Sequence, residues 1–224
     1  MTGITRLFAI LLFAAAGTAQ AAATADADGT VLVMKTGDAA AGEGKAAACV
    51  ACHGQDGNAA APVYPNLAGQ PRRYLYKALM DYKNEVRTDP VMAAEVAKLS
   101  EQDIADLAAW YATQPVSAGQ TPEDLVEAGA RLYHAGDAER DLPACMSCHG
   151  PAGLGNSAAG WPALGGQNVD YTIGQLKRFR SGDRTSDVNM MMRDIAAELS
   201  DEDIKTLAHY LSGLHAQRFT GAED

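Results

Sequence analysis

Cys49-Val50-Ala51-Cys52-His53 is followed, 96 positions later, by Cys145-Met146-Ser147-Cys148-His149, and these two stretches use all four cysteines of the chain. Cys-x-x-Cys-His is the attachment signature of c-type haem. Two thiols three positions apart on one helical turn can each add to a haem vinyl group. The imidazole that follows can then offer a nitrogen to iron. Two Cys-x-x-Cys pairs could also make a zinc site, but zinc does not ask for His directly after each pair. A redox disulfide within Cys-x-x-Cys belongs beside a strand-helix unit, and no such pattern surrounds either pair. The expected cofactors are therefore two covalently attached haem c groups, with His53 and His149 as iron ligands.

Residues 1–21 read as a secretory signal peptide. Arg6 supplies the positive end, Leu7 to Ala16 the apolar stretch, and Ala19-Gln20-Ala21 a cleavage site. The apolar stretch is too short to span a bilayer, which needs roughly 20 residues. The expected location is the periplasm, with peripheral membrane association left open. The formal charge of the whole chain is −10, and losing Arg6 makes it −11. That acidity excludes ordinary nucleic-acid binding, which needs a basic stripe. It favours docking on basic patches of protein partners.

The duplication extends beyond the cysteines. Pro65-Asn66-Leu67-Ala68-Gly69-Gln70 matches Pro162-Ala163-Leu164-Gly165-Gly166-Gln167, and Tyr74, Leu79 and Tyr82 match Tyr171, Leu176 and Phe179 at the same offset of 97. Farther on, Leu99-Ser100-Glu101-Gln102-Asp103-Ile104 matches Leu199-Ser200-Asp201-Glu202-Asp203-Ile204. The extra residues of the second copy fall around Ser186 to Met190, and a further insertion spans Ala135 to Pro143. The chain is thus divided into an N-terminal domain at 22–113, a linker at 114–122 and a C-terminal domain at 123–224.

Both domains read as all-α. Ser100 and Ser200 are N-caps with Asp103 and Asp203 three positions on. Ile104, Leu107, Ala108 and Tyr111 then recur with helical spacing, as do Ile204, Leu207, Ala208 and Leu211. Further helices are expected at 74–84 and 171–180. Val31 to Met34 is expected as an extended segment rather than a strand. Modules this small bury little apolar surface of their own, so porphyrin packed against the helix faces should supply much of each core.

The second ligand of each iron decides between carrying electrons and reacting with a bound molecule. Met92 lies eight residues before Ser100, and Met192 eight before Ser200. A thioether at one register in both copies suits an axial ligand on the loop entering the last helix. Thioether sulfur favours ferrous iron and raises the potential. Met190 and Met191 compete with Met192. His134, His209 and His215 have no counterparts in the first copy. Pro65 and Pro162 follow His53 and His149 by 12 and 13 residues. Their carbonyls could accept the other imidazole N–H, or the prolines could simply stiffen a turn.

These residues resemble the dihaem cytochrome c4 family: the paired haem motifs, Pro-x-Leu-x-Gly, Asp89-Pro90-Val91-Met92, Met191-Met192-Arg193-Asp194 and the two final helices. The resemblance implies two tandem class I cytochrome c domains related by a pseudo-twofold axis, with one haem each. It implies His53/Met92 and His149/Met192 ligation, with the Pro65 and Pro162 carbonyls as imidazole acceptors. It also implies an electron carrier between a quinol-oxidising bc-type complex and a terminal oxidase, and no substrate chemistry. Two alternatives are a dihaem electron-transfer subunit of a dehydrogenase, such as a flavoprotein, and a dihaem peroxidase-like enzyme with one open iron.

Overall fold

The structure, a computed structural model, describes residues 24–25 and 31–215. The expected signal peptide lies outside the described residues. The chain folds as two helical halves of the same plan. The first contains α1 (Ala39–Lys45), α2 (Val50–His53), α3 (Arg72–Lys83), α4 (Pro90–Val96) and α5 (Glu101–Ala112). The second contains α6 (Glu123–Ala135), α7 (Met146–His149), α8 (Val169–Ser181), α9 (Met191–Ala197) and α10 (Asp201–Gly213). Ahead of them, β1 (Thr24–Ala25) pairs antiparallel with β2 (Val31–Leu32). The segment expected as merely extended therefore carries a two-residue ladder.

The final helix of each half organises the packing. Ser100 and Ser200 both form complete capping boxes with Asp103 and Asp203, which satisfies orphan N–H groups at each helix start. Ile104, Leu107, Ala108 and Tyr111 are buried on one face of α5, and Ile204, Leu207, Ala208 and Leu211 on one face of α10. Leu75, Tyr76 and Met80 of α3 complete the first cluster. Leu132 and Tyr133 of α6 join the second, together with Leu142 and Leu199.

Helices α1 and α6 cross α5 and α10 at close quarters, and a glycine makes each crossing possible. A Cβ on Gly42 would lie 2.1 Å from the carbonyl oxygen of Asp106, and one on Gly129 would lie 2.4 Å from Cβ of Tyr210. Lys45 at the end of α1 reaches Asp103 at 2.7 Å and Asp106 at 2.5 Å. In the second half Arg140, from the insertion after α6, takes that place, with Nη1 2.8 Å from Asp203. A bridge between Asp137 and Leu142 folds the insertion into a small clasp.

A reciprocal pair of amides joins the halves. Gln70 donates to the Ala163 carbonyl at 2.8 Å and accepts from the Ala163 N–H at 3.0 Å. Its repeat partner Gln167 donates to the Asn66 carbonyl at 3.0 Å and accepts from the Asn66 N–H at 2.8 Å. Asn66 and Ala163 are themselves repeat partners, so the exchange is twofold in form. All four residues are buried. Such bonds contribute modestly when made, but leaving their partners dry costs about 1–3 kcal/mol per group. Gln167→Leu should therefore lower the unfolding free energy of the holoprotein by about 2 kcal/mol or more, read by urea denaturation.

Acid should loosen the same framework. Hydrogen bonds from Lys45 hold the Asp103 and Asp106 carboxyls below the usual range. Burial pushes Asp203 upward, but Arg140 and Ser200 outweigh it and its pKa is lowered. The stability from such depressed groups is complete above the ordinary carboxylate range near ~4, and is lost as pH falls through the folded values. The urea midpoint should therefore decline as pH drops from about 5 towards 2. In Asp106→Asn that decline should be shallower.

Candidate functional site

Each Cys-x-x-Cys-His stretch forms a single helical turn closed by a glycine. The Cys49 carbonyl accepts from the N–H groups of Cys52 at 3.3 Å and His53 at 3.0 Å. The Cys145 carbonyl does the same for Cys148 at 3.3 Å and His149 at 3.0 Å. Gly54 and Gly150 then leave the turn at φ 77° and 78°, in the left-handed region that admits glycine readily. All four cysteines are half-buried.

The imidazoles are 6% and 7% exposed, and each is fixed by one contact: His53 Nδ1 lies 3.0 Å from the Pro65 carbonyl, and His149 Nδ1 lies 2.9 Å from the Pro162 carbonyl. A carbonyl only accepts, so Nδ1 carries the proton and Nε2 keeps its lone pair free. Burial also pushes both imidazoles down, which favours the neutral form a metal needs.

The carbonyls are placed by matching turns. Gly57 accepts from the N–H groups of Leu67 and Ala68 at 2.7 and 3.1 Å, and Gly153 from those of Leu164 and Gly165 at 2.7 and 3.0 Å. Gly69 and Gly166 then donate to the carbonyls of Tyr111 and Leu211, both at 2.9 Å, which ties each turn to the end of α5 or α10.

The methionines sit in the first turns of short helices rather than on loops. Asp89 caps α4 by accepting from Val91 at 3.0 Å and Met92 at 3.1 Å. Met92 and Met192 are both half-buried, whereas Met190 and Met191 are 50% and 38% exposed. The second copy reaches its register differently. Asn189 and Met190 adopt left-handed backbone, with φ 51° and 60°, and this absorbs the extra residues. Asp187 accepts from Arg193 N at 3.0 Å and Arg193 Nε at 2.8 Å, so Asp187 anchors α9.

Some side chains near the haem motifs escape a reading based on repeats. Tyr64 turns its ring edge-on to His53, with centroids 6.2 Å apart. Tyr133 donates to the Gly150 carbonyl at 2.6 Å, and Tyr133, His134 and Tyr210 form an aromatic cluster. His134 Nδ1 lies 3.2 Å from the Met146 sulfur, inside the second haem motif. Only paired positions could have signalled them, and the first copy supplies no such set.

The donor set fits covalent haem in both halves: two thiols on one turn, then a buried neutral imidazole with a free nitrogen. Comparison with known proteins agrees. The cytochrome c family model matches residues 39–114 and 126–215. Cytochrome c4 of Pseudomonas aeruginosa is 47% identical over 187 residues, covering 83% of this chain and 93% of that protein. The chain belongs to the cytochrome c4 family.

The crystal structure of reduced recombinant cytochrome c4 from Pseudomonas stutzeri is 44% identical and matches with a TM-score of 0.78, over 80% of this chain and 100% of that one. A protein of Stutzerimonas stutzeri named thiosulfate dehydrogenase electron acceptor is 37% identical over 180 residues, covering 79% of this chain and 82% of that protein. As a cytochrome c4, the chain is a dihaem electron carrier with haem c attached at Cys49 and Cys52 and at Cys145 and Cys148. Replacing Cys145 and Cys148 together by Ser should halve the haem per chain in the pyridine haemochrome assay and leave the first haem in place.

Proposed function

We propose that this cytochrome c4 is a periplasmic carrier that takes electrons from a quinol-oxidising bc-type complex and passes them to a terminal oxidase. The signal-peptide reading of residues 1–21 supports the location, and among the described residues no helix is long and apolar enough to cross a membrane. The domain boundaries at 22–113 and 123–224 belong to the same proposal.

One repeated observation carries it. In each half a buried imidazole stands with Nε2 free, and at one repeat register a methionine is half-buried. His53 with Met92 and His149 with Met192 are the proposed iron ligands, and Pro65 and Pro162 the imidazole acceptors. When bound, haem supplies reversible one-electron chemistry. His53 and His149, each in a fixed tautomer, would offer Nε2 to the iron. Met92 and Met192 would supply the thioether ligands and leave no position for a reactant. The greater exposure of Met190 and Met191 supports Met192 as the proposed ligand in the second half.

A second reading keeps the same chemistry and changes the donor. The likeness to a thiosulfate dehydrogenase electron acceptor supports a dehydrogenase in place of the quinol-oxidising complex. Stopped-flow mixing of the prereduced protein with terminal oxidase tests the carrier proposal, with rapid oxidation of both haems expected. Mixing the oxidised protein with each reduced donor separates the two readings. Failure of the oxidase to oxidise either haem removes the terminal-oxidase assignment.

Carbon monoxide tests ligation. The native ferrous protein should not bind it. Met92→Ala and Met192→Ala should each open one haem, adding one equivalent of CO binding and removing about half of the far-red methionine–iron band.

A further inference from the structure

One buried hydroxyl in the core of the first half is left unspent. Tyr111 of α5 is 3% exposed, and among the described residues its phenol oxygen makes no hydrogen bond. A buried donor kept dry is costly, so such a group calls for an acceptor that the unmodified polypeptide does not supply.

The ring that carries this hydroxyl is held beside the first haem motif. It belongs to the core cluster that includes Ala46 and Ile104, and Cys49 packs against that cluster. A Cβ on Gly57 would lie 2.7 Å from Cδ1 of the ring, so the turn that leaves the haem motif runs directly over it. Burial pushes the Tyr111 phenol up, and the neighbouring Cys49 pushes it further. Cys49 is thus the side chain that the hydroxyl meets.

The second half fills the same space by an exchange of residues. Tyr111 corresponds to Leu211 at the offset of 100 shared by the final helices. Ala46 corresponds to Tyr133 at an offset of 87, the one that aligns Gly42 with Gly129. The first half therefore takes its ring from α5 and the second from α6, each opposite a smaller residue, which keeps the core volume. Burial pushes the Tyr133 phenol up as well, and Cys145 adds to it as Cys49 does for Tyr111. The two hydroxyls differ in one respect. That of Tyr133 donates to the Gly150 carbonyl at 2.6 Å, whereas that of Tyr111 remains available.

We propose that the Tyr111 hydroxyl donates a hydrogen bond to the Cys49 sulfur of the first haem's thioether link, and that this bond raises the potential of the first haem alone. Thioether sulfur is a weak acceptor, and a dry site strengthens what bond it makes. The sulfur is joined to the porphyrin, so a donor that draws density from it favours the electron on that iron. Leu211, at the matching place, has no donor to offer. The inference rests on haem attachment at Cys49 and not on which proteins give or take the electron.

Spectroelectrochemical titration of the holoprotein tests this. In Tyr111→Phe one reduction step should move to lower potential, with the ferrous-to-ferric ratio of that haem at fixed applied potential falling about threefold. The other step should stay in place, and an unchanged visible spectrum would show that iron ligation is intact. In the Cys145→Ser/Cys148→Ser background, which keeps the first haem, the remaining step should show the same shift. Movement of neither step, an equal movement of both, or a shift confined to the second haem overturns the proposal. Resonance Raman gives an independent reading. After full exchange into D2O a carbon–sulfur band of the first haem should shift, and Tyr111→Phe should abolish that shift. Should the Phe variant fail to retain its first haem, the parent protein still decides: a carbon–sulfur band indifferent to deuterium overturns the hydrogen bond.

Discussion

The hydrogen bond from each buried imidazole to a proline carbonyl is the contact on which the molecule turns. A carbonyl oxygen can only accept, so the tautomer is settled by the backbone itself, and the contact fixes where the free nitrogen points. That turn is tied in two directions. Its glycine folds it back onto the haem motif, and the next glycine bonds to the end of α5 or α10. The orientation of each imidazole is therefore tied to the last helix of its half, whose apolar face is buried. This explains why the copies share Pro-x-Leu-x-Gly-Gln.

The same segment also builds the contact between halves. Asn66 stands one residue from the Pro65 carbonyl, and Gln70 and Gln167 reach across to exchange amide bonds. A displacement of one half against the other would disturb the carbonyls that orient both imidazoles. The junction thereby fixes the two buried imidazoles relative to each other. Apolar packing alone would tolerate sliding; buried amides demand their partners and so specify one register.

The sequence carried the chemistry well because covalent haem attachment requires particular residues at particular spacing. The Cys-x-x-Cys-His pair, the Ser-x-x-Asp caps and the apolar faces of α5 and α10 are local signals, and each appears in the structure where the spacing put it. Helices α1 and α6 were not foreseen. α1, Ala39-Ala40-Ala41-Gly42-Glu43-Gly44-Lys45, has no apolar stripe, and what makes it a helix in context is a glycine that lets it approach α5. Tertiary contact overrides weak propensity there. The placement of Met92 and Met192 in short helices was missed for a related reason, since seven residues cannot show a period. Arg87 and Arg184 share the offset of 97, yet nothing in a string of residues marks a guanidinium that will be buried between two domains.

The junction also bears on why two haem modules are fused. Two copies joined by a flexible linker would bring two haems together without making them depend on each other. Here the contacts are polar and buried, and such contacts add little net stability over an apolar seam. Their effect is specificity: an arginine of one half bonded to a tyrosine of the other holds the two halves in one arrangement. Duplication supplied two similar domains. Divergence then acted unevenly, replacing the Asp89 cap by Asp187 and adding the Arg140 clasp in the second half, while the reciprocal amide and arginine contacts stayed matched.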